Sequence, residues 1–179
     1  MVIRMVDATF VRVAGIERDS IVDGPGLRMT IFMQGCRHHC VGCHNPETHD
    51  PNGGKEYMLG NLGLEIVKEH RKNPLCSGLT ISGGEPFDQA EACCYLAKIA
   101  RMYGLNVWVY TGYDFEYLRK SKNDKIRELL VHADVLVDGP FDISKRSLEL
   151  KYRGSSNQRL IDVKKSIAAD KVVLWKEES

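Results

Sequence analysis

Leu27-Arg-Met-Thr-Ile-Phe-Met-Gln34, running straight into Gly35-Cys36-Arg-His-His-Cys40-Val-Gly-Cys43-His44, is the stretch that decides the architecture. Its first part reads as an apolar strand that a glycine stops, so the cysteines are predicted at a strand's carboxyl end. Gly78-Leu-Thr-Ile-Ser82 is a second short strand, broken by Gly83-Gly84. Asn106 to Tyr110 is a third, ending in Thr111-Gly112, and Asp134 to Val137 a fourth, ending in Asp138-Gly139-Pro140. Helical patterns lie between them: a weak one through Leu64, Ile66, Val67 and His70, another over roughly Gln89 to Tyr103, and a charge-rich one from Asp124 to His132. Alternating strands and helices predict an α/β fold with a mostly parallel sheet and right-handed crossovers. About four or five strands are too few to close an eight-stranded barrel, which leaves an open, partial (β/α) barrel.

Sheets of this kind bind ligands at the carboxyl ends of their strands, and the residues with chemical character cluster there. Residues 1–179 are read as one domain, long enough to bury about two-thirds of its unfolded surface and so to hold a dry site. With 25 Lys plus Arg against 24 Asp plus Glu, the chain carries no basic field to hold nucleic acid. Met1 to Phe10 sets Arg4 and Asp7 inside a short apolar stretch, and no later run approaches the ~18 apolar residues that span a bilayer. No signal peptide or membrane attachment is therefore expected, and the chain is read as cytoplasmic. In that compartment six cysteines point to metal rather than to disulfides.

Cys36, Cys40 and Cys43 have the spacing Cys-x3-Cys-x2-Cys. Fully extended, the loop would span roughly 26 to 29 Å, so it must curl for its sulfurs to reach one cluster. Gly35 and Gly42 make that curl cheap. A 4Fe-4S cluster commonly takes four thiolates, and three leave one iron open to an outside ligand. S-adenosylmethionine (SAM) can chelate that iron through its amino and carboxylate groups, beside a cluster able to donate one electron. A Cys3His zinc site using His38, His39, His44 or His49 remains an alternative, and these histidines otherwise read as polar loop residues. Cys76, Cys93 and Cys94 read as structural.

The other strand ends carry candidates for the cofactor. In Ser82-Gly83-Gly84-Glu85-Pro86, glycines let the backbone approach a ligand while its carbonyls accept from an ammonium group; a plain strand-to-helix turn is the alternative. Thr111, Gly112 and Tyr113 offer hydroxyl and backbone groups for a ribose or adenine, with core packing an equal role for Tyr113. Asp138 follows an apolar strand and needs a partner if buried, either a ribose hydroxyl or an arginine such as Arg153. Asp23-Gly24-Pro25-Gly26 is a turn, and Arg153 to Arg159 is dense in hydrogen-bonding groups without a readable chemistry.

The cysteine loop after a strand resembles the radical SAM superfamily. Asp23 to Arg28, Phe32 to Cys36, Cys43 to Thr48, Ser82 to Pro86, Trp108 to Tyr113, Val135 to Phe141 and Arg153 to Gln158 resemble the activating proteins of anaerobic ribonucleoside-triphosphate reductases. Gly42 stands where the wider superfamily has an aromatic residue, as these activases do, and no cysteine lies between Cys43 and Cys76 to hold a further ferredoxin-like cluster. The resemblance implies a partial barrel of radical SAM type and one 4Fe-4S cluster on Cys36, Cys40 and Cys43. It implies SAM against Gly42, Cys43, His44, Ser82, Gly83, Gly84, Glu85, Thr111, Tyr113 and Asp138, with the Asp23 to Gly26 turn at the site's rim. The implied reaction is abstraction of hydrogen from a glycine of the reductase large subunit by a 5′-deoxyadenosyl radical. A low-potential electron donor such as flavodoxin is implied as well. The alternatives are an activase of another glycyl-radical enzyme, a radical SAM enzyme for a small molecule such as a pterin, and a metal-binding regulatory module that cleaves no SAM.

Overall fold

In the computed structural model, which describes residues 9–177, the apolar runs become part of one seven-stranded sheet. The strands are β1 (Phe10–Ser20), β2 (Leu27–Met33), β3 (Lys55–Met58), β4 (Cys76–Gly83), β5 (Asn106–Tyr110), β6 (Val135–Asp138) and β7 (Arg159–Asp162). Their order is β3-β1-β2-β4-β5-β6-β7. At its centre β2, β4, β5 and β6 run parallel, with Thr30 beside Thr80, Thr80 beside Trp108 and Trp108 beside Val135. The helices α1 (Leu59–Lys72), α2 (Ala90–Met102) and α4 (Asp124–His132) make the crossovers, and α3 (Phe115–Arg119) and α5 (Val163–Ala169) are short additions. The sheet stays open between β3 and β7.

The pleat sorts the strand residues onto two faces. Met29, Ile31 and Met33 of β2, Leu79 and Ile81 of β4, and Val107 and Val109 of β5 bury against Leu62 and Ile66 of α1, Leu96 and Ala100 of α2, and Leu129 of α4. Alternate positions, Arg28, Thr30, Thr80 and Trp108, point to the other face, where Trp108, Val135 and Val137 pack with Tyr110, Tyr152, Leu160 and Trp175.

The strand count exceeds the expected four or five, because β1, β3 and β7 are antiparallel additions. β3 is Lys-Glu-Tyr-Met, mostly exposed, and β1 is interrupted by register shifts after Val13 and Glu17, so neither shows a clean apolar run. The Asp23 to Gly26 turn lies beside the amino-terminal half of β2 rather than at the cysteine end: the Asp23 carboxylate accepts from Ser20 and Thr30, and its carbonyl accepts from Thr80. Of the Met1 to Phe10 stretch, residues 1–8 lie outside the described residues. No described helix is long and apolar enough to cross a membrane.

Candidate active site

The cysteine loop leaves β2 through a tightly held corner. Buried Gln34 donates from Nε2 to the carbonyls of Glu47 (3.0 Å) and Asp50 (2.6 Å), and the Gly35 N–H donates to the Thr48 carbonyl at 2.8 Å. Gly35 (φ 91°), His39 (φ 47°) and Gly42 (φ 72°) take left-handed backbone, which gives the loop its expected curl. Cys36, Cys40 and Cys43 are free and half-buried, and the Asn45 N–H points at the Cys43 sulfur (3.4 Å). Burial pushes the Cys36 thiol pKa upward. A cavity of about 550 Å³ opens beside it, lined by Gln34, Cys36, His39, His49 and Asp88. Among the described residues, no three cysteine, histidine or carboxylate side chains converge on one point. A donor set of three thiols on one curled loop with accessible sulfurs still fits an iron-sulfur cluster.

The Ser82 to Pro86 segment lies directly against this loop. The Gly84 N–H donates to the Met33 carbonyl and the Glu85 N–H to the Gly35 carbonyl, both at 2.8 Å. A Cβ on Gly84 would stand 2.3 Å from the Gly35 oxygen, and one on Gly83 (φ 87°) 2.6 Å from the Met33 nitrogen, so glycine is what permits the approach.

Glu85 is buried, and its carboxylate accepts from Phe87 N–H (3.0 Å), Gly112 N–H (2.9 Å), the Thr111 hydroxyl (2.9 and 3.0 Å) and His38 Nε2 (2.8 Å). The segments after β2, β4 and β5 therefore meet on one carboxylate. The bond to Glu85 raises the His38 pKa, against the opposing effect of burial. Tyr113 crosses the His38 ring edge-to-face at 4.5 Å and donates its hydroxyl to Asp88 at 3.2 Å. The end of β6 joins through two backbone bonds, Thr111 N–H to the Val137 carbonyl and Gly139 N–H to the Tyr113 carbonyl.

Asp138 is buried and so needs a partner, which is Arg159 rather than Arg153. Its oxygens accept from Arg159 Nε (2.9 Å) and Nη2 (2.5 Å) and from the Phe115 N–H (2.8 Å). Antiparallel pairing of β7 with β6 sets Arg159 opposite Asp138, a register that composition does not reveal. Arg153 instead donates to the Gln158 carbonyl, and the Gln158 side chain ties Gly154, Ser155 and Gly139 together. The Arg153 to Arg159 segment is thus a scaffold, and exposed His44 rests on it: its ring lies 4.7 Å from Phe141, close over Gly154.

Of the four histidines considered as zinc ligands, His38 binds Glu85, His44 faces Phe141, and His39 and His49 face each other at 3.3 Å. His38 enters the site as the partner of Glu85, a role other than the zinc ligand or polar loop residue that its place in the sequence suggests. Its only signal was the need of a buried Glu85 for a partner. Cys76, Cys93 and Cys94 are buried in the helix-side core, and burial lifts the Cys94 thiol to about 11.

A family model described as a 4Fe-4S single cluster domain matches residues 22–161, which contain the cysteine loop and the carboxyl ends of β2, β4, β5 and β6. The anaerobic ribonucleoside-triphosphate reductase-activating protein of Enterobacteria phage T4 is 32% identical over 143 residues, 78% of this chain and 86% of that protein. Its namesake from Vibrio cholerae is 34% identical over 143 residues, 77% of this chain and 89% of that one. The pyruvate formate-lyase 1-activating enzyme of Escherichia coli is 32% identical over 167 residues, 92% of this chain and 65% of that enzyme.

Proposed function

Because the chain belongs to the radical SAM family of anaerobic ribonucleoside-triphosphate reductase-activating proteins, we propose that it is the activase that installs a glycyl radical on such a reductase. Cys36, Cys40 and Cys43 hold one 4Fe-4S cluster in this reading. When bound, the cluster supplies one electron to SAM, yielding methionine and a 5′-deoxyadenosyl radical that takes hydrogen from a reductase glycine. The reading carries one domain over residues 1–179, a cytoplasmic setting and a low-potential donor such as flavodoxin.

The supporting observation is the convergence on Glu85 of the segments that follow β2, β4 and β5, directly beside the thiols. Backbone carbonyls of Ser82 to Gly84 would accept from the SAM ammonium, and Gly42, Cys43 and His44 would flank the adenine. Thr111 and Tyr113 would border the ribose from the end of β5. Asp138, held by Arg159 and the Phe115 N–H, would act by fixing that end of β6. No side chain need move a proton; the residues position the reactants and exclude water.

Anaerobic reconstitution tests this. We expect about four irons per chain, 5′-deoxyadenosine on addition of dithionite and SAM, and an organic radical on the reductase by electron paramagnetic resonance. Cys36→Ala, Cys40→Ala and Cys43→Ala should each abolish SAM cleavage in a folded protein. Tightly held zinc with refusal of iron and sulfide would overturn the reading. A radical formed on pyruvate formate-lyase but not on the reductase would reassign the partner.

A further inference from the structure

The Glu85 carboxylate has no acceptor capacity left. A carboxylate offers about four lone-pair sites, and four donors already address them: two backbone N–H groups, one hydroxyl and one imidazole. The Thr111 hydroxyl has a single proton, and it accepts from the Tyr113 N–H, so it donates toward Glu85. The carboxylate is also wholly out of water, at 0% exposure. A side chain so placed would have to abandon existing bonds to grip a ligand's ammonium group.

His38, between Cys36 and Cys40, is fixed from three sides. Glu85 accepts from its Nε2, Tyr113 packs edge-to-face against its ring, and Gly112 lies so close that a Cβ there would stand 2.5 Å from the ring. Glycine at 112 is therefore required for the imidazole to reach Glu85. The two glycines of the preceding segment serve the same docking, since Gly84 and Glu85 bind the backbone of Met33 and Gly35.

We propose that Glu85 and His38 are a positioning pair: Glu85 holds the His38 imidazole, and through it the Cys36 to Cys40 half of the loop, against the ends of β4 and β5. Glu85 thus serves the cofactor site without its side chain touching SAM. The inference rests on the assignment of the cysteines as cluster ligands.

Glu85→Gln, His38→Ala and His38→Gln, each reconstituted anaerobically, test it, with three readouts: iron retained against a chelator, the resonance spectrum of the reduced cluster without SAM, and SAM affinity per loaded chain. Glu85→Gln and His38→Ala should each lower iron retention by roughly tenfold or more, as removal of an outer-shell partner does, and should shift the SAM-free spectrum in the same way. The double variant should be no worse than the poorer single one, because both remove one contact. His38→Gln, which keeps a donor for Glu85, should restore most of the retention and the native spectrum.

Native iron retention and spectrum in Glu85→Gln, with a SAM affinity more than ~10-fold weaker, would show a direct ligand contact and overturn the proposal. If Glu85→Gln does not fold, the His38 pair decides alone: indifference to both His38 substitutions overturns the proposal, and loss in His38→Ala with rescue in His38→Gln supports it. Failure of the native chain to take up iron would instead refute the ligand assignment beneath it.

Discussion

Arg28 carries a full charge into the sheet, and among the described residues no carboxylate is in contact with it. Its guanidinium donates to the Thr80 hydroxyl (2.8 Å), the carbonyls of Leu79 (3.0 Å) and Pro25 (3.2 Å) and the Asn106 side chain (2.7 Å), and it lies 5.5 Å from the Trp108 ring centre. Burial lowers its pKa to about 10, so it stays charged at neutral pH and depends on those acceptors. Arg28→Met would strand them, and we expect a loss of about 3 kcal/mol in urea unfolding of the cluster-free chain. A loss below ~1 kcal/mol would mean that water or neighbours replace the guanidinium without cost. Single positions were legible in the sequence where one local rule decided them, as with the cysteine loop at the end of β2, the close backbone approach at the paired glycines and the need of Asp138 for a partner. Which arginine answers Asp138, and that His38 answers Glu85, depends on strand register and on loops far apart in the chain, which local patterns do not encode.

At the scale of elements, the parallel centre was legible because strands buried on both faces read as continuous apolar runs. The antiparallel strands were not, since β3 and β7 are only four residues long, β3 is mostly exposed and β1 is bulged. Charge pairs join the helices, and the Lys98–Glu128 pair between α2 and α4 has a definite pH signature. The hydrogen bond from Lys98 lowers the Glu128 pKa below its ordinary 4.5, with Lys125 and His132 adding smaller attractions. A depressed carboxyl pKa stabilises the fold above the unfolded value, and the contribution is lost as pH falls through the folded value. Both side chains are about a third exposed or more, so the contribution is under about 1 kcal/mol. Glu128→Gln should accordingly lower stability slightly at pH 7 and match the native chain near pH ~3, read by urea midpoints. An equal difference at both pH values would show that packing, and not ionisation, sets the effect.

At the scale of the whole molecule, an open sheet leaves its non-helical face to be covered by something other than helices. The segment after α5 does part of this: Val173 accepts from the Asp162 N–H, the Trp175 N–H donates to the Leu160 carbonyl at 2.8 Å, and Glu177 pairs with Lys151. That brings Trp175 edge-to-face onto Trp108, with ring centres 5.0 Å apart at 78°, while Tyr152 closes the group at 5.4 Å from Trp108. These are the chain's two tryptophans, so their coupling can be read without labels. Two indoles this close and steeply crossed should give an exciton couplet in circular dichroism, and Trp175→Ala should erase it. Because Trp175 is only half-buried, its removal should cost about 2 kcal/mol, below the ~3–5 kcal/mol of a fully buried tryptophan. Iron uptake should persist, since the indole pair sits at mid-strand whereas the cysteine loop leaves the end of β2. A couplet that survives in Trp175→Ala, or is missing from the native chain, would mean that the carboxyl-terminal segment does not dock on Trp108, and that this face of the sheet is covered in another way.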